Sequence, residues 1–248
     1  MDETRVVRAT SFGGWADEYQ DCRPSYPDSA VNWLLGDARE VVEVGAGTGK
    51  LTDRLVEHKD VSLRVTEIDG RMLRLVSERH SALPVHEAAV TNLPVEDGSV
   101  DAVLVADAWH WFPNAEAAAE VGRVLRRGGW LGCIWNDLSA ATPDWQWEAV
   151  NLSADIAARV RALPPLDRLG LTTGDAEQEV VRWNWSLTPR EWRGYVSTVS
   201  HVRTMPPGER LEVLDAAERL ASAACAATGA STVSLILDAV CIRWYPAQ

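Results

Sequence analysis

The sequence predicts an α/β fold: a doubly wound, mostly parallel sheet with a helical cap contributed by the second half of the chain. Three observations predict it. A short apolar strand, Val41-Val42-Glu43-Val44, runs directly into a glycine turn, Gly45-Ala46-Gly47-Thr48-Gly49. Strand-like and helix-like stretches then alternate at short spacing over residues 40–136, the pattern of parallel crossover units. Beyond that, helical periodicity dominates and is broken by two strand patterns, at 179–187 and 231–245.

The elements follow in order. Residues 1–25 have weak periodicity and contain Gly13-Gly14 and Arg23-Pro24, which reads as a lid-like segment with a short helix. Pro27-Asp28 opens an amphipathic helix ending near Gly36, since Pro suits a first turn. After the glycine turn, Leu51, Leu55 and Val56 have helical spacing to Glu57. Ser62–Ile68 is expected as a strand, Arg71–Glu78 as a helix and Pro84–Ala88 as a short strand. Val100–Ala106 follows an Asp97-Gly98 turn as a buried strand, then Ala115–Leu125 as a helix ended by Gly128-Gly129, then Trp130–Trp135 as a strand. Trp145–Leu163, Pro189–Val199 and Glu209–Ala227 are expected helices of the cap. No linker or repeat interrupts the chain, so one domain is the simplest account: lid and helix over 1–36, core over 37–137, cap over 138–178 and 188–230, closing strands over 179–187 and 231–245.

Composition bounds the function. The 248 residues hold 46% hydrophobic and 24% charged residues, an ordinary globular balance. The formal net charge is -12, with 24 Lys and Arg against 36 Asp and Glu. Phosphate backbones are bound by Lys and Arg with counterion release, so this balance speaks against nucleic acid as partner. The four cysteines, Cys22, Cys133, Cys225 and Cys241, form no CxxC pair and read as small hydrophobes in a reducing compartment, with no metal site. No signal-peptide pattern and no apolar run of membrane length is present, so a cytoplasmic protein without a membrane partner is expected, as monomer or homodimer. Twelve Trp include the i, i+2 pairs Trp109/Trp111, Trp145/Trp147 and Trp183/Trp185, which share a face on a strand and serve either core packing or an aromatic wall.

The glycine turn separates cofactor classes. A phosphate loop of the GxxxxGK[ST] kind fails at Val44 and Leu51. A GxGxxG dinucleotide turn fails because the last gap is one residue short, and Glu43 would repel a pyrophosphate. Glu43-x-Gly45-x-Gly47-x-Gly49 remains, either as a bare structural turn or as a site for a cationic ligand. This run resembles the first motif of the class I S-adenosylmethionine-dependent methyltransferases, whose fold is Rossmann-like. Leu93-Pro94-Val95-Glu96-Asp97-Gly98-Ser99 and Arg123-Val124-Leu125-Arg126-Arg127-Gly128-Gly129 resemble later segments of the same family, with Arg127 where Pro is usual. Ala108-Trp109-His110-Trp111-Phe112, Tyr19 with Arg23-Pro24-Ser25-Tyr26-Pro27, and Ile134-Trp135-Asn136 are similar to its small-molecule branch, which includes trans-aconitate methyltransferase-like enzymes.

That resemblance implies S-adenosylmethionine as cofactor and S-adenosylhomocysteine as product. The glycine turn with Glu43, Gly45, Ala46, Gly47 and Gly49 would border it, and Glu67 would take the ribose hydroxyls, with Asp69 as competitor and Ile68 and Met72 beside it. Tyr19 and Arg23 would hold the methionine carboxylate or merely pack the N-terminal segment; Thr91 would lie near adenine, and Ala106 and Asp107 near the methyl. His110 is the candidate base or else a packed histidine, and Tyr26, Trp109, Trp111, Trp135 and His201 are candidates for the substrate pocket. Arg193, Arg203 and Tyr195 either bind an anionic acceptor or sit in solvent. Methyl transfer to a small-molecule oxygen, carboxylate or hydroxyl, is the implied activity. The rivals are a cofactor-binding protein of pericyclase type that transfers no methyl, and an RNA or protein methyltransferase.

Overall fold

The computed structural model describes residues 16–150 and 163–247. The lid segment before residue 16 and most of the helix expected over 145–163 lie outside the described residues. Among the described residues seven strands form one sheet: β1 (Glu40–Val44), β2 (Ser62–Glu67), β3 (Val85–Glu87), β4 (Val100–Ala106), β5 (Leu125–Leu138), β6 (Asp175–Leu187) and β7 (Val233–Tyr245). Their spatial order is β3-β2-β1-β4-β5-β7-β6. All the pairings from β3 across to β5 are parallel, while β7 runs antiparallel to both β5 and β6. The doubly wound sheet read from the alternation is therefore present. Its turning point lies between β1 and β4, where open α/β sheets place their ligands.

Helices before and inside the core are α1 (Ala16–Cys22), α2 (Asp28–Leu35), α3 (Thr52–Leu55), α4 (Gly70–Arg79) and α5 (Asn114–Val124). The second half adds α6 (Asp144–Ala149), α7 (Pro165–Leu169), α8 (Pro189–Ser197), α9 (Ser200–Arg203) and α10 (Pro207–Thr228). Strand alternation divides the core in two. Val41, Val65, Leu104 and Ile134 face α2, α3 and α4, while Val42, Val103, Leu131 and Cys133 face α5. A third apolar cluster joins α6, α8 and α10 to Leu235 and Leu237 of β7, building the cap. A full capping box starts α8: Thr188 accepts from the Glu191 N–H while Glu191 accepts from the Thr188 N–H.

Three local expectations need correction. Gly128-Gly129 lies within β5, at a register irregularity against β4, because the strand begins at Leu125 where α5 ends. Of the paired tryptophans only Trp183/Trp185 lies on a strand; Trp109/Trp111 is a 3-10 turn and Trp145/Trp147 is on α6. The helix after the glycine turn is a single turn, Thr52–Leu55.

The lid helix α1 bridges core and cap. Gln20 donates to Asp53 of α3 at 3.3 Å, whereas Glu18 accepts from Ser197 of α8 at 2.8 Å and pairs with Arg203 of α9 at 3.4 Å. At the centre of the sheet, Gly132 lets α2 approach β5: a Cβ there would lie 2.7 Å from Leu104 Cδ2 and 3.0 Å from Leu34 Cδ1. Gly132→Ala is expected to lower unfolding free energy by about 1–3 kcal/mol, the usual cost of overpacking, as read by urea titration.

Candidate active site

The site grows from the carboxyl ends of β1, β2 and β4. Gly45, Gly47 and Gly49 all have positive φ, which an L side chain resists. Gly45 is also crowded: a Cβ would lie 2.9 Å from Phe112 Cζ, in the turn after β4. The turn keeps its own donors occupied. Gly45 and Ala46 donate to the Thr66 carbonyl, Gly49 to the Ala46 carbonyl, and Gly47 to Glu67 Oε2 at 2.7 Å. A phosphate cradle needs free N–H groups, so this turn is poorly suited to one.

Glu67 ends β2 and is buried. Its Oε1 accepts the N–H groups of Ile68 and Asp69, both at 2.9 Å, and its Oε2 accepts from Gly47. Burial pushes its pKa up, partly offset by those three donors. Oε2 keeps one lone pair for a ligand hydroxyl; a second would displace a donor from Oε1. Asp69 is committed elsewhere, capping α4 through the Arg71 N–H at 3.0 Å and pairing with the Arg71 guanidinium at 2.7 Å.

Above this edge lies a cavity with about 1280 Å³ of empty space, its open mouth included. Tyr19, Arg23 and Tyr26 line it, as do Gly45, Ala46 and Gly47, Glu67, Ile68 and Met72, and Ala106, Asp107 and Trp111. The chain thus brings together most of the residues that the sequence assigned to a site. Ala88, Ala89, Val90, Phe112, Asn136 and Tyr195 also line it, as does Lys50 beside the glycine turn. Arg23 donates to the Thr198 carbonyl at 2.7 Å and lies over the rings of Tyr19 and Tyr195, while its buried Nε has no partner. Tyr26 donates its hydroxyl to Asp107 Oδ2 at 2.7 Å. Asp107 is the only non-glycine residue with positive φ among the described residues, at 49°. Burial pushes its carboxyl up to about 6, against the Tyr26 hydrogen bond and the Arg23 charge.

Seven expected site residues do not line the cavity. Glu43 shares the face of Val41, so strand alternation aims it under the turn, where Thr52 Oγ1 donates to it at 2.6 Å. Gly49 faces α4, with Val76 Cγ2 2.9 Å from a hypothetical Cβ. Thr91 lies one residue past the Ala88–Val90 wall. The 3-10 turn after β4 disperses its side chains around three directions. Trp111 reaches the cavity; Trp109 is buried in the core and donates its indole N–H to the Leu169 carbonyl at 2.8 Å. His110 keeps part of its surface in solvent, its ring 4.8 Å from that of Trp111, and partial desolvation of that ring and the Arg168 charge lower its pKa. Trp135 points to the α5 face beneath the Arg168 guanidinium, 4.7 Å away, and His201 stays on α9. In the cap, Arg193 pairs with Asp215 at 2.7 Å and Arg203 with Glu18, which leaves Tyr195 as the cap's contribution. Asn136 was legible only as part of a motif; nothing in the sequence marked Ala88–Val90.

Residues 42–133 match the methyltransferase domain family. Uncharacterised methyltransferases of Mycobacterium bovis and Mycobacterium tuberculosis are 39% identical to this chain over 251 residues, covering 98% of it and 98% of each relative. The chain belongs to the class I S-adenosylmethionine-dependent methyltransferases. Among solved structures, a candidate type II methyltransferase from Anaeromyxobacter dehalogenans covers 90% of this methyltransferase and 97% of its own chain, at TM-score 0.67 and 23% identity. A Haemonchus contortus phosphoethanolamine N-methyltransferase, solved with S-adenosylhomocysteine, covers 98% of it and 59% of its own chain, at TM-score 0.56 and 13% identity. Both likenesses concern the fold.

The family uses S-adenosylmethionine, and the cavity suits it. The orphaned Arg23 Nε can meet a carboxylate, Glu67 a ribose hydroxyl, and Ala88–Val90 a flat apolar ring. When bound, that cofactor supplies an already activated methyl, so the protein's tasks are alignment and exclusion of water. Glu43, buried beneath the turn, is the other acid here, held by Thr52 of α3. Burial raises its pKa from 4.5 to about 8. The folded state therefore holds a proton that the unfolded chain releases, and this stability is complete below about pH 4.5 and lost as pH rises through 8. Glu43→Gln is expected to flatten the fall in ligand-free melting temperature between pH 5 and pH 8, as followed by scanning calorimetry.

Proposed function

We propose that this enzyme transfers a methyl group from S-adenosylmethionine to an oxygen of a small molecule. The observation that carries this reading is the arrangement along one cavity. Glu67 stands at the end of β2 and the glycine turn follows β1. Arg23, with an unsatisfied Nε, lines the same cavity beside Tyr195, and Asp107 stands nearby after β4. In the sheet order β3-β2-β1-β4, such a cofactor would set adenine by Ala88–Val90, ribose by Glu67 and its methionine end by Arg23.

The covering by α1 and α8 supports a small acceptor over a macromolecule, as does the net charge of -12. The lid and post-β4 motifs that resemble the trans-aconitate methyltransferase-like branch support an oxygen acceptor. Four free cysteines support a reducing, cytoplasmic compartment. Among the described residues no helix is long and apolar enough to cross a membrane. One chain supplies every wall of the cavity, which suits a monomer or a homodimer with independent sites.

Isothermal titration tests the cofactor site. S-adenosylhomocysteine is expected to bind, with no heat from NAD or ATP, and Glu67→Gln to weaken it about tenfold through loss of an acceptor. Heat from NAD or ATP alone would refute the assignment. Arg23→Met is expected to weaken S-adenosylhomocysteine by about tenfold or more while leaving 5′-methylthioadenosine, which has no carboxylate, unchanged. Equal losses on both ligands would instead make Arg23 a packing residue.

A further inference from the structure

We propose that Asp107 faces the transferred methyl and accepts the proton of a hydroxyl acceptor, so that this methyltransferase acts on an alcohol or phenol and not on a carboxylate. The proposal rests on the cofactor placement above and assigns the chemistry of the neighbouring wall.

The sheet order fixes where the acceptor stands. With adenine and ribose over β3 and β2, the methyl end of the cofactor reaches β4, and the next wall is β5 with the cap. Asp107 is the first residue past β4. Its N–H is held by the Ile134 carbonyl of β5 at 2.9 Å, and its backbone is turned into the left-handed region, so its carboxylate meets the cavity. Strain of this kind is retained where the surroundings over-determine it, often at reacting centres. Tyr26 orients the carboxylate through Oδ2. Among the described residues no Lys or Arg comes within ion-pair distance of it; the Asn136 N–H also donates to it, and the Arg23 charge acts on it from farther off.

A second carboxylate brought against Asp107 would place two like charges in one enclosed space, and Arg23 is engaged by the methionine carboxylate. A hydroxyl avoids the repulsion and brings the proton that the carboxylate can take. The acceptor oxygen's lone pair forms the new O–C bond as the C–S bond breaks and its electron pair stays on sulfur. The O–H proton passes to Asp107 and then to solvent. The groups facing Asp107 are Tyr26 from the entry to α2, Arg23 and Tyr19 from the lid, Tyr195 from α8, and Asp137 and the Asn136 N–H from β5. Together they leave the carboxyl near 6, ionised at neutral pH but more basic than a solvated carboxylate.

Sinefungin, which carries a protonated amine where the methyl-bearing sulfonium would be, reads this position without any acceptor. Asp107→Asn keeps the shape and tolerates the left-handed backbone. The expected result is that the variant loses about tenfold or more in sinefungin affinity while S-adenosylhomocysteine affinity changes by less than about twofold. Equal losses on both ligands would overturn the proposal, placing Asp107 at the methionine ammonium that they share. No loss on either would overturn it as well. A native protein that binds neither ligand would instead remove the cofactor assignment, and this proposal with it. With S-adenosylmethionine and matched panels, hydroxyl compounds are expected to be methylated. Turnover of the carboxylic acids with their alcohol and phenol counterparts untouched would also overturn it.

Discussion

Three backbone N–H groups converge on one buried carboxylate, and the geometry of the site depends on it. Glu67 joins the glycine turn after β1 to the chain leaving β2, taking Gly47 on one oxygen and Ile68 and Asp69 on the other. Parallel strands share no hairpin, so the loops at their carboxyl ends must be tied by something other than sequence adjacency. A carboxylate with three donors provides that tie and fixes the height of the turn. The turn in turn meets Phe112 through Gly45, which couples it to the segment after β4. Displacing this one carboxylate would therefore disturb the glycine turn and the segment that leads to Phe112 together.

Charge inside the cavity is unevenly satisfied, and the unevenness has a direction. Glu67 is well supplied with donors. Arg23 is held by a carbonyl and two aromatic faces but keeps an unpaired Nε, and Asp107 accepts from a phenol and from the Asn136 N–H with no cation at ion-pair distance among the described residues. Desolvated groups left with spare capacity are costly unless a ligand completes them.

The sequence reading succeeded where the determining contacts are local. The glycine turn, the acid ending β2 and the alternation of strands and helices all lie within short windows, and the choice of Glu67 over Asp69 agrees with the helix cap that Asp69 makes. It failed where a single residue changes the direction of the chain. The left-handed backbone at Asp107 begins a turn whose consecutive side chains diverge, so His110 meets solvent and Trp109 the core. Glu43 was misplaced for a reason available in advance, since strand alternation puts it on the face of Val41. Tyr195 and Asn136 come from distant segments, and their convergence depends on the order in which β5, β7 and β6 pair.

That order has a consequence for how the enzyme can change. Leu187, the last residue of β6, is the register partner of Val233, the first of β7. The whole excursion through α8, α9 and α10 therefore leaves and re-enters the sheet at neighbouring points of one hydrogen-bonded pair. It is attached like a handle, both ends fixed side by side, and one end of the cavity is carried on it through Tyr195. Exchange of this stretch between relatives has to keep its apolar seat on Leu235 and Leu237 and the grips of Glu18 and Arg23 on Ser197, Thr198 and Tyr195, so the handle and the lid helix can only change together.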